Sequence, residues 1–251
     1  MTDTKFHIDF TDKRVLVTGG TRGIGRATVE AFLGAGARVA VNGASDASVA
    51  RALNELAAGE RAIAAPGDVA VVADCARIVE AAVEGLGGLD VLVNSAGVFT
   101  KTSMAETNEN LWDSLIDINV KGTYFCSRAA LYALDKSGGS IVNVASEAGL
   151  NGYAGITAYC ASKGAIVNLT RSMALELAPT VRVNCICPGV IDTDMARIGF
   201  ADLSEEAEFY PLKRIGTATE VAKGIVYLAS PDAGFITGSA LAMDGGATAG
   251  H

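Results

Sequence analysis

Seven short apolar runs alternate with longer stretches of helical period, and this alternation restricts the chain to few architectures. The runs cover residues 14–18, 38–42, 62–66, 91–94, 140–145, 182–187 and 240–244. Each is nearly continuous in apolar character and several are β-branched, the pattern of parallel strands covered on both faces. Between them lie helical stretches at 28–34, 48–57, 74–85, 111–134, 158–178 and 218–228. Gly85 and Pro179 mark helix ends, and Thr217 with Glu220 has the spacing of a capping box. Strand–helix alternation of this kind predicts an α/β fold, a doubly wound parallel sheet of about seven strands with right-handed crossovers and helices on both faces. No linker, repeat or low-complexity segment divides the 251 residues, so residues 1–251 read as one domain. The stretch 191–212 is the least regular. It is acidic, carries Met195, Phe200, Phe209 and Tyr210, and follows a strand's carboxyl end, where ligands collect in open sheets. It is a candidate substrate lid.

The first strand runs into Thr18-Gly-Gly-Thr-Arg-Gly-Ile-Gly25, and a helix is expected from about Arg26. Gly19, Gly23 and Gly25 have the spacing G-x-x-x-G-x-G. Glycines there allow a tight turn and let a pyrophosphate approach the backbone where free N–H groups and the helix dipole favour anions. At the first strand of a βα chain this is a dinucleotide site, with Gly19, Thr21, Arg22, Gly23, Ile24 and Gly25 as its candidate residues.

Only two histidines are present, His7 and His251. A proton-transferring site without an internal histidine needs another titrating group. Tyr159 and Lys163 stand four apart on one helix face, where an ammonium group can favour the phenolate and lower a value normally near ~10. Ser146 follows a strand's carboxyl end, positioned for a hydroxyl to hold a substrate oxygen.

These segments, together with Asp68-Val69, Asn94-Ser-Ala-Gly97, Asn119 and Pro188-Gly189, agree in order and separation with the short-chain dehydrogenase/reductase family, which the chain resembles from about Asp9 to Gly246. Ser95 is a departure, because the family usually has asparagine there. The resemblance implies a Rossmann-type fold and an NAD(P)-dependent oxidoreductase that interconverts a ketone and a secondary alcohol. It implies catalytic roles for Asn119, Ser146, Tyr159 and Lys163, with Asn119 disturbing its helix and holding a water that links Lys163 to solvent. Tyr159 and Lys163 would also meet the cofactor. Asp68 and Val69 would meet the adenine, Asn94, Ala96 and Gly97 would border the cofactor, and Pro188, Gly189, Val190 and Thr193 would lie along the nicotinamide. An Asx-turn is the alternative for Asp68. The family also implies a homotetramer.

An NAD site places a carboxylate at the end of the second strand. Here Val41-Asn-Gly-Ala-Ser45 contains no acid and Asp46 lies further on, while Arg22, Asn42 and Ser45 are polar candidates for a 2′-phosphate. NADP(H) is therefore preferred, with NAD(H) the alternative. The 28 acidic and 20 basic residues leave a net charge of −8, which argues against nucleic acid or an anionic membrane as a partner. No apolar run approaches the ~18 residues of a membrane span, and the polar N-terminus has no signal-peptide core. Five cysteines without C-x-x-C or histidine partners read as reduced thiols, not metal ligands, which suggests a cytoplasmic protein. Cys185 and Cys187 read as packing and Trp112 as core or interface. A small-molecule carbonyl substrate is favoured, with Glu147, Tyr153 and the lid aromatics as discriminators. A 3-oxoacyl-(acyl carrier protein) reductase is the alternative, although an acidic carrier would want a basic rim. A non-catalytic nucleotide-sensing regulator would be expected to lose Tyr159 or Lys163, and this chain keeps both.

Overall fold

The computed structural model describes residues 8–250; both histidines and most of the polar N-terminal stretch lie outside them. In chain order the elements are β1 (Arg14–Thr18), α1 (Gly23–Gly34), β2 (Arg38–Val41), α2 (Asp46–Leu56), β3 (Ala62–Ala64), α3 (Val72–Leu86) and β4 (Val91–Asn94). Then follow α4 (Glu109–Leu115), a π-helical turn (Ile116–Gly122), α5 (Thr123–Ser137), β5 (Ser140–Val144), α6 (Thr157–Leu177) and β6 (Arg182–Pro188). The chain continues through β7 (Ile191–Asp192), α7 (Asp194–Gly199), α8 (Leu203–Phe209), β8 (Gly216–Thr217), α9 (Ala218–Ala229) and β9 (Ala240–Met243).

Seven strands form one parallel sheet in the order β3-β2-β1-β4-β5-β6-β9, as the alternation predicts. Successive residues of β1 face opposite layers. Val15 and Val17 pack with Val29 and Phe32 of α1 and Ile225 of α9. Leu16 packs with Ile78 of α3, Cys126 of α5 and Met173 of α6. Both faces are covered, which is why the strands are apolar without polar alternation. Strand order reverses between β1 and β4, and crossovers leave in opposite directions there, opening a crevice at the carboxyl ends.

Four expectations need correction. Helix α1 starts at Gly23, earlier than Arg26, because the glycines that read as a turn form the helix's first turn. Gly25 lets it sit close to the strand, since a Cβ there would lie 2.2 Å from the Gly19 oxygen. The stretch 111–134 is two helices joined by the π turn, not one. The stretch 191–212, the least regular in sequence, is ordered: it holds α7 and α8, and of its aromatics Tyr210 is buried whereas Phe209 is 57% exposed. Trp112 is likewise 44% exposed and is no core residue. The capping box is formed: Thr217 Oγ1 accepts from the Glu220 N–H, and the Glu220 carboxylate accepts from the Thr217 N–H.

Candidate active site

A cleft of about 530 Å³ runs across the strand ends at the switch point, from Gly19 and Asp68 to Ser146, Tyr159 and Tyr210. At one end lies the turn between β1 and α1. Gly19 has φ +64°, and a Cβ on it would come within 2.8 Å of the Ala96 backbone. Helix α1 has no side-chain cap, so its first N–H groups stay open toward the cleft beside Arg22, whose side chain has no partner among the described residues. An uncapped N-terminus, a glycine cradle and a free guanidinium suit a diphosphate, and the residues present therefore fit a nicotinamide dinucleotide.

The expected cofactor residues do not all reach this cleft. Thr21, Arg22, Ile24, Asp68, Val69, Ala96, Gly97, Pro188, Gly189, Val190 and Thr193 line it, as do the three turn glycines. Asn94 does not. Its Nδ2 donates to Ser127 Oγ and Asn143 Oδ1, both at 2.9 Å, and it is buried between sheet and α5. Ser45 also stays off the lining and caps α2, its Oγ accepting from the Ser48 N–H. Asn42 lines the cleft, but its amide is committed: Nδ2 donates to the Ala65 and Gly67 carbonyls, and Oδ1 accepts from the Gly19 N–H. It braces three strand ends. Asp68 Oδ1 accepts from the Ala70 N–H, the Asx-turn alternative, while its residue still lines the cleft.

At the other end, Ser146 follows β5 and accepts from the Ala148 N–H at 3.1 Å. Lys163, one turn after Tyr159 on α6, is 5% exposed, and its ammonium donates to the Val144 carbonyl at 2.9 Å. That bond ties α6 to the end of β5 and sets Nζ 5.7 Å from the Tyr159 ring centre. Burial pulls the ammonium down to about 8. Tyr159 is half-buried on the cleft wall. Burial pushes its phenol up to about 12, against a downward pull from hydrogen bonding with Ser146. The lowering expected from Lys163 is not seen: desolvation is the largest influence on the phenol, and Tyr159 is held as the neutral acid.

Asn119 sits in the π turn, where the helix is disturbed as expected. Nδ2 donates to the Val98 carbonyl and to Ser162 Oγ, both at 3.1 Å, and Oδ1 accepts from the Val98 N–H at 2.9 Å. Asn119 thus fastens the loop after β4 to α6. Its two amide donors are unavailable for the water-holding role.

Phe99 and Lys101 on the cleft wall escaped the sequence reading, whereas Glu147 and Phe200 were expected there. Phe99 packs edge-on against Tyr159 at 4.9 Å and stacks on Phe200 at 5.6 Å, with the Lys101 ammonium over Phe200. Phe99 and Lys101 closely follow the 94–97 segment, the one signal that could have marked them. Glu147 is buried, and its Oε1 accepts from the Tyr210 hydroxyl at 2.8 Å. No group of three His, Cys, Asp or Glu among the described residues is placed to hold a metal.

A family model described as Enoyl-(Acyl carrier protein) reductase matches residues 19–248. The chain is 39% identical over 246 residues to 2-(S)-hydroxypropyl-CoM dehydrogenase 3 of Xanthobacter autotrophicus, covering 94% of this chain and 96% of that one. It is 38% identical over 242 residues to meso-2,3-butanediol dehydrogenase of Serratia marcescens, 96% of each chain. It is 37% identical over 238 residues to a 3-oxoacyl-(acyl-carrier-protein) reductase of Synechocystis, 92% of this chain and 95% of that one. Among solved structures, a short-chain dehydrogenase/reductase of the glucose/ribitol dehydrogenase type from Brucella melitensis superposes with a TM-score of 0.91 at 35% identity, covering 96% of this chain and 99% of that one.

Proposed function

The chain belongs to the short-chain dehydrogenase/reductase family and is an NAD(P)-dependent oxidoreductase of ketones and secondary alcohols; on that premise we propose that Ser146 and Tyr159 hold the reacting oxygen while Tyr159 moves the proton. One observation carries this reading: Ser146, Tyr159 and Lys163 meet at one end of a cleft whose other end is the glycine turn of β1 and α1.

The cofactor, when bound, supplies or takes up the hydride and in its oxidised form adds a positive ring. The protein's own groups do the rest. In reduction, the Ser146 and Tyr159 hydroxyls donate to the ketone oxygen, and Tyr159 releases its proton as negative charge develops there. Its raised value suits this direction, because the phenol stays protonated through neutral pH. In oxidation Tyr159 is the base, and the buried charge of Lys163 favours the phenolate. Val144 orients Lys163, and Asn119 holds the adjoining loop.

We prefer NADP(H) over NAD(H). Support comes from the absence of a carboxylate at the end of β2 and from the unpaired Arg22 on the cleft wall, while Asp46 begins α2 and is exposed. Charge-assisted pairing with a 2′-phosphate should make Arg22→Ala raise KM for NADPH about tenfold or more and leave KM for NADH within about twofold. Equal effects on both cofactors in initial-rate kinetics would reverse the preference.

A small free ketone or alcohol is favoured over a carrier-bound one. An acidic carrier needs unpaired basic charge beside the cleft. The cations in and just after the 191–212 segment are instead neutralised locally, Arg197 by Asp192 and Asp194, Lys213 by Glu208, and Arg214 by Glu220, while Arg22 stands at the dinucleotide end and Lys101 lies over the Phe200 ring. The segment from Ile191 to Leu212, which borders the cleft through α7 and α8, is proposed as the substrate lid. Tyr132 on α5 and Leu175 on α6 are more than four-fifths exposed, which supports a homotetramer built on these helices; light scattering at four times 25.6 kDa would test it. Four of the five cysteines are buried and all are free, in keeping with a cytoplasmic location, which localisation of a tagged copy would test.

A further inference from the structure

Two buried side-chain oxygens on the cleft wall have no hydrogen-bond partner among the described residues: Glu147 Oε2 and the Tyr153 hydroxyl. Glu147 is only 8% exposed. Leaving such atoms unpaired is unfavourable unless something else completes them. The neighbours cannot. Tyr210 spends its proton on Glu147 Oε1 and accepts from the Val190 N–H at 2.7 Å. Asn151 lies close enough to Tyr153 to draw its phenol down, but makes no hydrogen bond of ordinary geometry with it. Glu147 directly follows Ser146, and its charge bears on the Tyr153 phenol, so the two oxygens share one part of the cleft wall.

We propose that Glu147 and Tyr153 form a second hydrogen-bonding station in the cleft, which selects substrates bearing a hydroxyl group in addition to the reacting oxygen. This rests on the proposed ketone–alcohol chemistry and names its substrate class. A hydroxyl completes both atoms at once: it donates to Glu147 Oε2 and accepts from the Tyr153 O–H. A second carbonyl leaves Oε2 unpaired when Glu147 is ionised. An ammonium has no acceptor for the Tyr153 proton. An anionic group meets repulsion, because the groups bearing on Glu147 are Asp244 beyond β9, Glu206 on α8 and the Tyr210 and Tyr153 phenols, none of them cationic.

The test compares kcat/KM for 3-hydroxybutan-2-one and butan-2-one, which differ by one hydroxyl, in the wild type and in Tyr153→Phe and Glu147→Gln. The wild type should favour the hydroxyketone at least tenfold at pH 8, since a site built to bond a hydroxyl rejects the analogue lacking it. Tyr153→Phe should lower that ratio tenfold or to near unity. Glu147→Gln replaces the open acceptor by a donor, the change that protonation also makes. The wild-type ratio should therefore fall from pH 8 to pH 6, and the Glu147→Gln ratio should be flat. A wild-type ratio near one, or a ratio that keeps its size in Tyr153→Phe and its pH profile in Glu147→Gln, overturns the station. Butan-2-one turnover that Tyr159→Phe abolishes reports on the reaction separately, so an unchanged ratio then counts against the station alone.

Discussion

The ionisation of Glu147 is coupled to folding. Burial, against the pull of the Tyr210 hydrogen bond, raises its carboxyl from an ordinary 4.5 to about 7. Between those values the folded chain holds the proton more tightly than the unfolded chain. The contribution is thus complete below about pH 4.5 and is lost as pH rises through about 7, amounting to roughly 3 kcal/mol. Glu147→Gln cannot titrate. Relative to wild type it should gain up to roughly 3 kcal/mol in urea unfolding between pH 5 and pH 8, and a difference constant across that range would show that Glu147 is not perturbed. At this scale the sequence exposed Ser146, Tyr159 and Lys163, because a four-residue helical spacing and a strand end are local signals. It could not expose the Glu147–Tyr210 bond, made across 63 positions. Asn94 was misread for a physical reason: an asparagine at a strand end can face a ligand or bond sideways into the core, and here Ser127 and Asn143 take it.

Elements were legible in kind more than in extent. The strands were expected within about two residues of where they form, because apolar runs are short and sharply bounded. The π turn was hidden, since a run of mixed residues from 111 to 134 has no breaker until Gly122, where a Cβ would lie 2.9 Å from the Val69 oxygen. Helices α7 and α8, with six and seven residues, are too short to display a period. The cap was there to be seen: Asp202 Oδ1 accepts from the Ser204 N–H ahead of Glu205 and Glu206. The π turn has a testable role. Asn119→Ala would strand the Val98 N–H and carbonyl and remove one partner of Ser162, so a loss of roughly 2–4 kcal/mol is expected in denaturant unfolding. A loss below about 0.5 kcal/mol would show that the loop after β4 holds itself.

The whole molecule is organised by one reversal of strand order. Crossovers diverging between β1 and β4 open the cleft, the glycine turn faces one end of it, and β5 with α6 carries the reactive hydroxyls to the other. This topology was readable from the βα alternation because parallel strands leave few ways to connect. The lining was less readable, since Phe99, Phe200 and Tyr210 are brought together only when the lid helices fold over the strand ends. On the proposed chemistry, Tyr159 delivers the proton in a cleft that binds a nicotinamide dinucleotide independently of that hydroxyl. The decisive measurement pairs NADPH binding, followed by fluorescence titration, with single-turnover ketone reduction in wild type and Tyr159→Phe. In Tyr159→Phe, NADPH affinity should stay within a few-fold of wild type and the reduction rate should fall by about 10³ or more. Reduction by Tyr159→Phe at a rate within a few-fold of wild type would contradict it.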